Sequence, residues 1–370
     1  MSWREAFLVR FGAGAFTGIT LGRWLRVLRE NHFAVDRPYW GRAASITVAS
    51  ISNTLLASWE KWLYGRKIRN TKVDPPLFVL GVWRSGTTHL HNLLTKDDRF
   101  AYPNTYQVFF PHTFLTTERI NSWLMAFLVP KKRPMDNVTF GIAEPQEDEF
   151  ALCSITGRVK PMAWAFPRRS EEYGRYLTLR GASTDETAEW KSALLEFLRK
   201  LSFKHGKPLI LKSPGHTGRI KLLLELFPDA RFVHICRNPY DVYGSMRHWV
   251  RTGLPFWALQ REDYRDAIDR TIGQYREVFD AYFEERGLIP KGRLHEMDFE
   301  SLEADPIGQL RNMYEALSLP EFSHVEPALQ QYLATIKEYK KNNLPELPAD
   351  VRSRVASEWR RSFEEWGYPV

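Results

Sequence analysis

Short apolar runs recur through the middle of the chain. Leu77-Phe78-Val79-Leu80-Gly81-Val82 is the first, Pro208–Lys212 and Arg231–Cys236 follow, and Arg293–Met297, of mixed composition, is a later strand candidate. Runs of this kind fit strands buried on both faces of a parallel sheet. Helical spacing fills the gaps between them. It covers His89–Leu94, then Thr217–Phe227 with Pro228-Asp229 as its stop, then the stretch after Arg237-Asn238-Pro239. The last run leads to a marked helix start, with Asp305 as N-cap and Pro306 at the first helical position. Alternating strands and helices predict an α/β fold, a mostly parallel sheet flanked by helices, with ligands bound beyond the carboxyl ends of its strands.

Residues 1–72 have a different pattern. Ser45–Tyr64 contains neither Pro nor Gly and sets Trp59, Trp62 and Leu63 at helical spacing. Asp74-Pro75-Pro76 then breaks the helix. The expected organisation is therefore a helical, basic extension over 1–73 and an α/β domain over 74–370. No internal repeat interrupts it.

Charge sharpens that division. Residues 1–72 hold twelve Lys or Arg against four acids, which accounts for the whole net charge of +8. Such a region suits an anionic surface such as a membrane, and a solvated basic helix face fits equally well. The charge-free stretch Phe11–Gly22 is too short to span a bilayer, and Arg23 and Arg26 follow it. An interfacial helix is the preferred reading, with a signal peptide as the alternative. The protein is expected to be cytoplasmic, with peripheral membrane contact through residues 1–72 and no nucleic-acid partner. Cys153 and Cys236 stand far apart, without CxxC or metal-ligand spacing, so neither a disulfide framework nor a metal site is expected.

Gly81-Val82-Trp83-Arg84-Ser85-Gly86-Thr87-Thr88 has the frame of a P-loop between a strand and a helix. Backbone N–H groups at a helix N-terminus point at phosphate oxygens, helped by the helix dipole. Gly86 removes a Cβ that would intrude on the anion. A nucleotide triphosphatase needs Lys where Thr87 stands. Here the cation is Arg84, inside the loop, which suits one phosphate and a neighbouring transferable group better than a Mg-triphosphate. Later, Arg237 closes a strand and Ser245 lies on the next helix. A guanidinium and a hydroxyl so placed can grip one phosphate from two sides.

With both motifs in this order, the chain resembles the PAPS-dependent sulfotransferase superfamily, in its broad bacterial-type branch, over about residues 77–320. The resemblance implies that Arg84, Ser85, Gly86, Thr87 and Thr88 bind the donor's 5′-phosphosulfate. It likewise implies that Arg237 and Ser245 bind its 3′-phosphate, with PAP as the product. Lys212, in Leu211-Lys212-Ser213-Pro214, matches a family Lys that faces the transferring group. Two positions depart from the family. His89 stands where many relatives have Trp, and the basic Gly-rich segment of the small-molecule branch is not recognisable, Lys340-Lys341 offering only charge.

In-line sulfonate transfer needs positioning, a cation at the leaving group and a base for the acceptor proton. Arg84 is assigned to the leaving group, where its help is electrostatic because it keeps its proton. For the base, Pro214 stands where the small-molecule branch has His, and His216 lies two residues further on. The acidic stretch Glu144–Phe150 offers Glu147, the favoured candidate, with Glu149 beside it. The other account of that stretch is an acidic helix start. The acceptor is a hydroxyl or amine of undefined class, a lipid or a carbohydrate among the candidates. Two other functions fit parts of the pattern: a P-loop kinase or NTPase, and a non-catalytic nucleotide-binding protein at a membrane surface.

Overall fold

The computed structural model describes residues 11–125, 141–337 and 345–370, so Lys340-Lys341 lie outside the described residues. The chain forms two units by interleaving. One comprises Met1–Val73, Pro103–Gly206 and Arg251–Tyr264, and the other Asp74–Tyr102, Lys207–Val250 and Arg265–Val370. The expected boundary at 73/74 coincides with a change of unit, and the first unit takes in two later segments as well.

The second unit carries the sheet. Its strands are β1 (Leu77–Leu80), β2 (Ile210–Lys212), β3 (Arg231–Cys236) and β4 (Leu294–Asp298), in the order β2-β1-β3-β4. All three pairings are parallel, with Leu77 opposite both Ile210 and Arg231, and Phe232 opposite Leu294. Alternation along each strand sends side chains to opposite faces. Leu77, Val79, Val233 and Ile235 join Leu90, Leu93, Leu310 and Met313 in one apolar cluster. Phe78 and Phe232 belong to the opposite set and stack at 5.5 Å, while His234 stacks on Tyr282 at 4.2 Å. The central strands are covered on both faces, which is why β1 carries a continuous apolar run, while β4 at the edge is mixed and half-buried.

The helices of this unit follow their local signals. Thr87–Leu94 succeeds the glycine loop, Pro239–Thr252 follows Arg237-Asn238, and Pro306–Ala316 begins where Asp305 accepts from the Gly308 N–H at 2.9 Å. Boundaries shift by a few residues, most at the helix after β2. The helix after β2 spans Ile220–Leu226, because Pro214–Gly218 form a 3₁₀ turn instead. The last residues also belong to this unit's core, Trp359 stacking on Tyr275 at 3.6 Å.

The first unit is helical. Trp40–Arg69 is a single 30-residue helix, longer at both ends than the predicted run. Thr184–His205 packs in the same unit and begins with a reciprocal cap between Ser183 and Glu186. Between these two helices, buried Glu60 and Lys200 form an ion pair, and Glu60 also accepts from the N–H and hydroxyl of Thr116. That network satisfies the charges, as burial demands.

Candidate active site

The chain leaves β1, returns as β2 on one side of it and as β3 on the other. Such a reversal opens a crevice at the carboxyl ends of the central strands. Here the glycine loop follows β1, Lys212 ends β2, and Arg237 follows β3.

Three residues give the loop its shape. Gly81 has φ +142°, Arg84 +70° and Gly86 +101°, so the backbone turns through the left-handed region twice within the loop and once at its start. A Cβ on Gly81 would stand 2.7 Å from the Ile235 carbonyl oxygen, and one on Gly86 would stand 2.3 Å from the Phe299 ring. The glycine at 86 is therefore required by protein packing, and not only by approach of an anion. Ser85 Oγ donates to the Val82 carbonyl at 2.9 Å, and Thr217 Oγ1 accepts from the Gly81 N–H at 2.7 Å. The second of these bonds explains why Thr217 is drawn out of the helix expected to start there. Thr87 and Thr88 open the helix Thr87–Leu94, and Gly86 has no side chain with which to cap it. The N-terminus of such a helix suits an anionic acceptor.

The two motifs meet directly. Arg84 Nε donates to Ser245 Oγ at 2.8 Å, across 161 residues of sequence. The Arg237 guanidinium lies 4.6 Å from the centre of the Phe299 ring, the same ring that limits Gly86. His89 reaches that ring edge-on at 6.3 Å. Phe299 thus spaces the loop from Arg237, and sequence reasoning missed it. Its signal was position: it follows β4 directly, as Arg237 follows β3. Arg237 pairs with Asp241 at 3.3 Å, while its buried Nε has no hydrogen-bond partner. Buried donors are rarely left so, and a phosphate oxygen would supply the acceptor. The glycine loop at a helix N-terminus and this orphaned N–H both fit a ligand with phosphate groups.

Lys212 is buried at the end of β2, opposite Val79. His216 is fully buried in the 3₁₀ turn, its ring edge-on to Phe78 at 5.2 Å. Glu147 belongs to the first unit and is partly exposed, whereas Asp148 and Glu149 are buried. The helix there starts at Glu149 with Asp148 at its cap. Next to it, Phe150 stacks on Trp257 at 4.8 Å, and Trp257 lies 5.6 Å from Trp164 and 6.4 Å from Phe109. This aromatic group lies a few residues from Glu147 in sequence.

Among the described residues, Asp97, Asp98 and His324 group closely enough to hold a cation. Asp97 already accepts from Arg99 and Tyr314, and Asp98 from His324, so these groups are engaged with one another. The thiols of Cys153 and Cys236 are free and buried, and burial pushes Cys236 up to about 12.

Comparison with known proteins gives a consistent picture. The model of the Sulfotransferase family matches residues 75–324. The omega-hydroxy-beta-dihydromenaquinone-9 sulfotransferases Stf3 of Mycobacterium bovis and Mycobacterium tuberculosis are each 38% identical over 368 residues, covering 99% of this chain and 93% of theirs. Two solved structures share the fold at a TM-score of 0.64. The sulfotransferase STF9 of Mycobacterium avium is 18% identical, with 93% of this chain and 96% of that one covered. The sulfotransferase STF1 of M. tuberculosis is 16% identical, with 92% and 91% covered.

Proposed function

The chain belongs to the sulfotransferase family as a PAPS-dependent sulfotransferase, and from that premise we propose that its acceptor is a hydroxyl on a membrane-resident isoprenoid lipid. The relative named for a hydroxylated menaquinone is similar over almost the whole of both chains, which is the observation that carries the acceptor class. The aromatic group of Phe109, Phe150, Trp164 and Trp257 supports it, since rings offer an apolar seat to a prenyl or quinone body.

PAPS supplies a sulfonate bonded to a phosphate that departs readily, leaving PAP. The N–H groups of the glycine loop, with Ser85, Thr87 and Thr88, hold the 5′-phosphate. Arg84 neutralises the charge that develops on the leaving oxygen, and its bond to Ser245 fixes the guanidinium for that task. Arg237 and Ser245 hold the 3′-phosphate, with the orphaned Arg237 Nε–H as one donor. Lys212 balances the equatorial oxygens of the sulfonate in flight. A sulfonate carries less charge than a phosphoryl group, so side-chain cations suffice and no metal is called for. Glu147 takes the acceptor proton. It is preferred to His216, which has no exposed surface, and to Glu149, which is buried.

The test is a transfer assay with labelled PAPS and three acceptors: a hydroxylated polyprenyl quinone in detergent, a soluble sugar and a tyrosine peptide. Label is expected on the quinone, and label confined to the sugar or the peptide overturns the lipid reading. In the same assay Glu147→Gln is expected to abolish transfer while PAP still raises the melting temperature. Undiminished transfer would remove Glu147 from the mechanism.

A further inference from the structure

The helix Trp40–Arg69 is built inside out. Its buried side carries polar groups, Arg42, Ser50, Asn53 and Glu60, alongside Ile46, Gly65 and Ile68. Arg42 donates to the carbonyl oxygens of Ala258 at 2.6 Å and Pro255 at 3.2 Å. Asn53 donates to those of Thr17 at 2.9 Å and Ile19 at 3.1 Å. Glu60 is paired with Lys200. The outward side is apolar. Val48, Ile51, Leu55, Trp59 and Trp62 follow one another by three or four residues and so form one stripe. Exposure along it runs from 50% at Ile51 to 80% at Trp62. A surface helix in water shows the reverse arrangement, and a contiguous exposed apolar patch marks a contact surface.

Charge identifies the contact. Exposed Lys61, Arg66, Lys67, Arg69 and Lys72 surround the tryptophan end of the stripe. Glu60, the one acid between residues 37 and 73, is buried with its lysine. The outward face therefore offers apolar side chains, two exposed tryptophans and cations, with no exposed carboxylate of its own. That combination matches the boundary between headgroups and acyl chains in an anionic bilayer. A second copy of this chain would bring the same positive charge to the same face. Among the described residues no helix is long and apolar enough to cross a membrane, and the buried polar side of this one would forbid it.

We propose that Trp40–Arg69 lies in the plane of an anionic membrane surface, with Val48, Ile51, Leu55, Trp59 and Trp62 immersed and the Lys61–Lys72 cations on the headgroups. The proposal rests on different residues from the acceptor reading and does not depend on the acceptor's identity. It is tested with the full chain and acceptor-free vesicles, either of phosphatidylcholine alone or with phosphatidylglycerol added. The chain is expected to sediment with the anionic vesicles and to be released by salt. Trp59→Ser with Trp62→Ser is expected to weaken that binding at least about 10-fold. The same variant should retain its PAP-induced rise in melting temperature and its transfer to detergent-dispersed acceptor. A wild-type chain that stays in the supernatant overturns the proposal, as does a variant that binds equally well. Light scattering that shows a dimer converted to monomer by the variant gives the face to a second copy and overturns it too.

Discussion

His234 is a buried imidazole between two aromatic rings, Tyr282 at 4.2 Å and Trp366 at 5.5 Å, and neither ring nitrogen has a hydrogen-bond partner. Burial, reinforced by Arg286, lowers its pKa to about 3. In the first unit burial, reinforced by Lys200, lowers His112 to about 4. Both are neutral in the folded chain, whereas an unfolded imidazole takes up its proton near pH 6.5. Stability is therefore full above about pH 6.5 and is lost as pH falls towards the folded values, at up to about 1.4 kcal/mol per pH unit for each histidine. His234→Phe preserves the ring stack and removes one proton site. Its melting temperature is expected to fall less than that of the wild type between neutral pH and about pH 4.5. Equal losses would show that His234 is not held neutral. At this scale the contact between Arg84 and Ser245 joins two motifs that the sequence set apart as strand ends followed by cations and hydroxyls. Phe299 was not legible in the sequence, since its work lies in contacts with Gly86, His89 and Arg237, all distant in sequence.

Among the elements, the glycine loop and its helix are sensitive to a single methyl group. Gly86 combines φ +101° with a Cβ position 2.3 Å from the Phe299 ring. Gly86→Ala must adopt a left-handed conformation at a cost of about 1–3 kcal/mol and displace that ring as well. Loss of stability and of PAP affinity together is the expected outcome, read by thermal melting with and without PAP. A variant with unchanged melting and affinity would contradict the packing argument. The four strands were legible to within a few residues, the buried β1 most plainly because continuous apolar runs have few other uses. The direction faced by the helix Trp40–Arg69 was not. Periodicity located Trp59, Trp62 and Leu63 on it, but which side is buried depends on Thr116, Lys200 and Ala258. Those partners lie far along the chain.

At the scale of the whole molecule, the two units are threaded through one another in sequence, and a division drawn by composition at 73/74 sees only the first crossing. The resemblance was drawn only to about residue 320, and the helices that close the chain are short and mixed in composition. Even so, Trp359, Phe363 and Trp366 fill the second unit's aromatic layer against Tyr275, Tyr240 and Phe279. The proposed mechanism needs the Arg84 loop and the Arg237–Ser245 segment to act as one clamp. Calorimetric titration of PAP into the full chain, without added metal, measures this directly. One PAP per chain is expected, with Arg84→Ala and Arg237→Ala each weakening binding by about 10- to 100-fold. The Arg84→Ala, Ser245→Ala double variant should lose less than the sum of its single changes. No heat of binding, or an affinity untouched by either arginine substitution, would contradict the assignment.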